Sequence, residues 1–217
     1  MGAAIADDSR ACACGSVCGT GAYHVGTCRP TSSRWDADRS RGTSLFCHDG
    51  TERPIARPKD DDEQSLYYSG KKKDHTIKNV VIIDAYGTIR FLSATYAGKV
   101  HDKRIADESN YQLPEGSVLG QDSGFQGFIA PGVIILQPKK KPPKGKLTDE
   151  EKADNRWISH IRVLIEHSIG GVKIYRIVHD VIRHWIPEIR DQVMEICCGL
   201  YNFRIRHQMT TNNIDEP

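Results

Sequence analysis

Two β-rich segments stand close together in the chain, HTIKNVVIIDA at residues 75–85 and IRFLSATYA at residues 89–97. Tyr86-Gly87-Thr88 joins them, and the pattern predicts a hairpin. Upstream, the apolar run at residues 44–48 predicts a short strand that delivers Asp49 into the turn signal Asp49-Gly50-Thr51. Two prolines in residues 52–58 favour an extended, irregular connection. Residues 59–64 read as an acidic loop and residues 71–73 as a basic one. After a loop at residues 98–101, Asp102 is placed to cap a short helix ending at Asn110. Residues 117–121 predict a strand that runs into Asp122-Ser123-Gly124-Phe125, and residues 133–136 predict another.

The helical period begins at Thr148, which forms a capping box with Glu151. Trp157, Ile158, Ile161, Leu164, Ile165 and Val172 make one apolar face wide enough to cover a sheet. Asn155, Ser159, Arg162, Glu166, Gly170 and Lys173 fall on one polar face, with a single acid between two bases. That face reads either as solvated surface with i,i+4 pairs or as a wall of a site. Residues 178–185 predict a turn or short strand. A last helix is predicted over residues 187–206, with Pro187 at its first position and an apolar face of Ile189, Val193, Ile196, Leu200 and Phe203. Strand, hairpin, short helix, two strands and long helices predict an α/β domain with a mixed sheet covered by helices.

Residues 1–43 differ from the rest. They are rich in small residues, Cys and Arg, show no period of 2 or 3.6, and predict a disordered leader before a domain over residues 44–207. Residues 208–217 predict a disordered tail. The 217-residue chain carries a net charge of only +2, so affinity for nucleic acid has to come from local patches. The clearest is PKKKPPKGK at residues 138–146, which contains Lys139, Lys140 and Lys141 and no acid. No apolar run approaches the ~20 residues of a membrane span, and no secretory signal is legible. The expected setting is the bacterial cytoplasm at the nucleoid, or the nucleus in a eukaryote. The seven cysteines include Cys12, Cys14, Cys18 and Cys28, of which only Cys14 and Cys18 have zinc-ligand spacing, so the sequence weighs against zinc. Cys197 and Cys198 read as small core residues.

Position on the predicted elements singles out three acids. Asp49 and Asp122 follow strands, and Glu166 lies on the polar face of the long helix. If the two strands are neighbours, the helix brings all three to one sheet edge. Carboxylates that close raise one another's pKa unless a cation neutralises them. All-oxygen ligation suits Mg²⁺ or Mn²⁺, and two such ions ~4 Å apart serve in-line phosphoryl transfer. The lysine run offers a surface for phosphates. His101 and His167 read as orienting or packing residues.

Asp49-Gly50-Thr51-Glu52, Gly98-Lys99-Val100-His101-Asp102, Asp122-Ser123-Gly124-Phe125 and Arg162-Val163-Leu164-Ile165-Glu166-His167, with Gly171-Val172-Lys173, occur in that order. Together they resemble the DDE transposases, in the endonuclease group shared by many bacterial insertion sequences and Harbinger-type elements. The stretch Ser69-Gly70-Lys71-Lys72-Lys73 with His75-Thr76 is also similar to that group. The resemblance implies an RNase H-like fold and Mg²⁺- or Mn²⁺-dependent DNA strand cleavage and joining, with two ions. It places the triad, as catalytic and metal-holding residues, on Asp49, Asp122 and Glu166, with Asp102 as a rival second acid. DNA contacts are expected at Lys139, Lys140, Lys141, Arg162 and Lys173. The implied partners are transposon ends and target DNA; a homodimer is left open. Members of the family carry a helical DNA-binding region upstream, and residues 1–43 do not resemble one. The rival reading is therefore a remnant that keeps the fold and binds DNA non-specifically without the reaction.

Overall fold

A computed structural model describes residues 44–142 and 145–212. The disordered reading of residues 1–43 and the cysteines Cys12, Cys14, Cys18 and Cys28 fall outside them. Strand β1 (Leu45–Pro54) is followed by helix α1 (Asp61–Tyr67) and strands β2 (Tyr68–Ser69), β3 (Asp74–Asp84), β4 (Ile89–Leu92) and β5 (Tyr96–Ala97). Then come helix α2 (Asp102–Ser109), strand β6 (Val118–Gly120), a 3₁₀ turn at Ser123–Phe125 and strand β7 (Ile134–Leu136). Helices α3 (Asp149–Lys173), α4 (Arg176–His179) and α5 (Pro187–Asn212) complete the chain.

β1 runs antiparallel to β3 and parallel to β6, which in turn runs parallel to β7. β2, β4 and β5 pair along β3. This mixed sheet, with helices on both faces, is an RNase H-like α/β fold. One face is covered by α3, α4 and α5: Cys47, Val81 and Ile83 pack with Ile161, Ile165, Val172, Val178, Met194 and Tyr201. On the other, Phe46, Val80 and Ile82 pack with Ile105 of α2 and with Leu119, Phe125 and Phe128. Consecutive residues of β1 and β3 thus enter opposite cores, as the two-residue period of a strand requires.

Local signals survive intact where the partners are close in sequence. Gly87 takes φ +75° in the hairpin turn, and the Asp84 carboxylate accepts from Tyr86 N and Thr88 N to hold it. The Thr148–Glu151 capping box starts α3. Elsewhere tertiary pairing overrides the local reading. Asp49-Gly50-Thr51 is no turn: β1 continues through it, because Asp49 and Gly50 pair with Val81 and Val80 in a ladder reaching from Phe46 to Pro54. The acidic loop forms α1, capped by the Asp60 carboxylate, which accepts from Asp62 N and Glu63 N. Residues 176–179 form the short helix α4, and Ile182 bridges to Ile55. α5 runs on to Asn212, so residues 208–212 continue the helix instead of the expected tail.

The largest revision is the face of α5. Arg190, Asp191, Met194, Cys197, Cys198 and Tyr201 are buried, and the apolar stripe expected in the core points outward. Polar contacts fix that rotation. Fully buried Arg53 donates to Arg190 O, Asn79 Oδ1 and Thr95 Oγ1, and Asp191 Oδ1 accepts from Thr95 N. Breaking that network would strand a buried guanidinium, which outweighs the gain from turning a few aliphatic side chains inward.

Candidate active site

β1 places Asp49 beside Cys47, on the face covered by α3, where side chains of alternate residues must point. The Asp49 carboxylate accepts from Gly50 N at 2.8 Å. Burial pushes its pKa up to about 6; the hydrogen bond and nearby Arg162 oppose that rise, while the charges of Asp122 and, more weakly, Asp102 add to it. Asp122 follows β6, the parallel neighbour of β1, and stands before the 3₁₀ turn with no capping bond of its own. One face of α3 supplies the third acid. The Arg162 guanidinium lies 3.2 Å from Asp122 Oδ1 and 3.7 Å from Glu166 Oε1, spanning the two carboxylates.

The structure therefore brings Asp49, Asp122 and Glu166 to one end of the central strands, and links the last two through Arg162. Among the described residues no three acid, His or Cys side chains converge tightly enough to ligate a single ion as they stand. Arg162 holds the space between Asp122 and Glu166.

Asp102 differs from its expected role. The N-cap of α2 is His101, and Asp102 makes its ion pair with Lys78 Nζ at 3.4 Å. Its carboxylate lies over two glycines of the motifs. A Cβ on Gly50 would sit 2.7 Å from Asp102 Oδ1, and one on Gly124 3.1 Å from Oδ2. Asp102 thus approaches β1 from the α2 side, through the opening that Gly50 leaves, opposite the side chain of Asp49. Lys78 also reaches Glu52 Oε1 at 3.5 Å and donates to Val100 O. Glu52 accepts from Thr76 Oγ1 at 3.0 Å. The sequence carries no local signal for this Glu52–Lys78–Asp102 chain, since its members meet only through the β1–β3 ladder.

His48 is a second unforeseen contributor. It is buried against Phe125, stacked at 3.9 Å, with Nδ1 2.5 Å from Tyr111 Oη and Nε2 3.1 Å from Gln121 Oε1. Burial lowers its pKa to about 3, so the ring is neutral. An Nε2–H donating to Gln121 then leaves Nδ1 to accept from Tyr111. The bond ties the residue before Asp49 to the residue before Asp122 and so fixes the two acids relative to each other.

The expected DNA-contact residues divide. Lys139 is held by its backbone, whose N–H donates to Asn155 Oδ1 and whose carbonyl accepts from Asn155 Nδ2. Its ammonium lies 3.5 Å from Glu151, Lys140 donates to Gln126 Oε1, and Lys141 is exposed. Arg162 is engaged with the acids. Lys173 is half-buried and donates to Glu52 O at 3.0 Å, and burial lowers its pKa. His101 and His167 are exposed, which removes the packing role expected for them.

Residues 48–202 match a family described as DDE superfamily endonuclease. The chain belongs to that family. A probable transposase for insertion sequence element IS702 from Microchaete diplosiphon is 30% identical over 164 residues, which cover 75% of this chain. The chain spans 58% of the length of that curated relative. No solved structure matches it. The match begins at His48 and ends at Asn202, so it takes in Asp49, Asp102, Asp122 and Glu166. DDE superfamily endonucleases generally use divalent metal ions.

Proposed function

We propose that this DDE endonuclease domain is the catalytic part of a transposase, which cleaves and joins DNA strands by phosphoryl transfer with Mg²⁺ or Mn²⁺. The observation that carries the reading is Asp49, whose carboxyl is driven up to about 6 by burial and by the charges of two neighbouring acids. A hard dication offsets that repulsion, and oxygen donors are its preferred ligands. The donor set fits: Asp49 and Asp122 are the residues to hold the metal, with Glu166 completing the set once Arg162 turns away. Both Arg162 and Glu166 reach solvent, at 25% and 57% side-chain exposure, so this exchange asks for side-chain rotation alone. Two ions, when bound, supply activation of a water or 3′-hydroxyl and stabilisation of the leaving oxygen.

The chain's own residues do the rest. His48 and Gln121 keep Asp49 and Asp122 in register. Arg162 neutralises the acids before metal arrives. Lys139, Lys140 and Lys141 lie at the approach to α3 and offer charge to backbone phosphates. The rival reading, binding without cleavage, is favoured by one feature, the Arg162 guanidinium lodged between Asp122 and Glu166.

Supercoiled plasmid separates the two readings. Conversion to nicked circles is expected with Mg²⁺ or Mn²⁺ and is expected to cease with chelator or with Glu166→Gln. Binding without any nicking across both metals would overturn the catalytic reading.

Replacing Lys139, Lys140 and Lys141 together by Ala is expected to weaken binding to all DNA sequences alike. The slope of log affinity against log salt should fall by ~0.9 for each phosphate that is no longer neutralised. Fluorescence anisotropy over a salt series measures it, and an unchanged slope would assign the loop to solvent.

A further inference from the structure

We infer that the outward stripe of α5 is a seam on which a second copy of this chain docks, helix against helix and antiparallel. Ile189, Val193, Ile196, Leu200 and Phe203 follow one another in steps of four, three, four and three, the spacing of a coiled-coil seam and narrower than a core-facing stripe. Ile196, Leu200 and Phe203 are 61%, 47% and 71% exposed. The helix already buries a different face, so this stripe is surplus to the fold of one chain.

Two further observations select the partner. Gly199 sits inside the helix next to the stripe, where glycine costs ~1 kcal/mol relative to alanine, and nothing lies within 4 Å of where its Cβ would be. No packing within the chain calls for a glycine there; close approach by another backbone does. Charge gives the direction. The N-terminal half of α5 presents exposed Glu188 and Glu195, whereas Arg190 and Asp191 of that half are buried; the C-terminal half carries Arg204 and Arg206. A parallel pair sets like charges side by side, and an antiparallel pair sets acid against base. In the antiparallel register Ile196 meets Leu200 of the other copy, Val193 meets Phe203, and the two Gly199 residues face each other across the two-fold axis. Such a contact is isologous and closes at two copies.

The test is the mass of the full chain without DNA, by light scattering or sedimentation velocity over a concentration series. The wild type is expected to dimerise. Val193→Glu and Phe203→Arg, each on a solvent-accessible position, are expected to weaken self-association by at least about thirtyfold, the loss that marks a central interface residue. Circular dichroism checks that both variants stay folded. Mixing the two variants is expected to restore a dimer, because antiparallel docking puts the new Glu opposite the new Arg at one contact and leaves Val193 against Phe203 at the other. A monomeric wild type, or single variants that dimerise as well as wild type, would overturn the seam. Failure of the mixture to pair would overturn its antiparallel direction. None of these readouts involves nicking, so they stand apart from the catalytic reading.

Discussion

Replacing Asp49 with Asn is expected to abolish nicking, by about 10³-fold or more, while making the metal-free protein more stable than wild type above pH 6. The fold should survive, because an Asn side-chain oxygen can still accept from Gly50 N as Asp49 Oδ1 does. The stability gain follows from the raised carboxyl. Asp49 moves from an ordinary 3.8 to about 6 in the folded chain, mainly through burial. Between about pH 4 and pH 6 the unfolded chain gives up this proton and the native chain keeps it, so wild-type stability falls as pH rises through that window. Above it the loss is constant. Asn does not titrate and escapes it, by about 1–2 kcal/mol, less than the whole shift implies because solvent reaches the half-buried carboxylate. Urea midpoints from pH 4 to pH 8 measure the difference. Mg²⁺ should reverse the order, since a ligand at 100 times its Kd stabilises only the chain that binds it, by ~2.7 kcal/mol. Parallel pH curves for the two proteins, or nicking by the Asn variant, would remove Asp49 from the assignment.

The acids themselves are legible in the sequence, because each stands at a motif and the motifs keep a fixed order. Their surroundings are not. Lys78 lies mid-strand in β3, and nothing local shows that it will reach both Glu52 and Asp102; the nine-residue β1–β3 register decides that. Asp102 carries the composition of a helix cap, yet His101 takes the cap position and the carboxylate turns toward Gly50. The short apolar run before Asp49 suggests a strand ending there, whereas the ladder to β3 carries the strand past it to Pro54. In α5 the periodicity is legible and its destination is not. The heptad-spaced stripe is real, but Arg53, Asn79 and Thr95, all distant in sequence, hold the opposite face inward. Capping boxes and glycine turns are settled within a few residues, and those predictions stand; helix rotation and strand length are settled by partners far along the chain.

The second acid is the assignment that a pair of substitutions decides. Asp122→Ala is expected to lose nicking by about 10³-fold or more, and Asp102→Ala to retain it within about tenfold. Two facts favour Asp122. It acts on Asp49 more strongly than Asp102 does, and Arg162 connects it to Glu166. Asp102 lies on the far side of β1, against the backbone of Gly50, and its charge is answered by Lys78. Removing it leaves Lys78 with Glu52 and Val100 O, so the expected cost is ~1 kcal/mol of stability. A positioning role for Asp102 has its own signature. Gly50→Ala alone drives a methyl into the Asp102 carboxylate, at 2.7 Å, and is expected to destabilise by ~1–3 kcal/mol. In the Asp102→Ala background the obstacle is gone, and the same substitution should cost markedly less, a coupling that urea midpoints of the four proteins report. Additive midpoints would mean that Asp102 does not support the Gly50 backbone. Nicking that survives Asp122→Ala and disappears with Asp102→Ala, at wild-type stability in both, would transfer the second metal-holding position to Asp102 and leave Asp122 as the partner of Arg162.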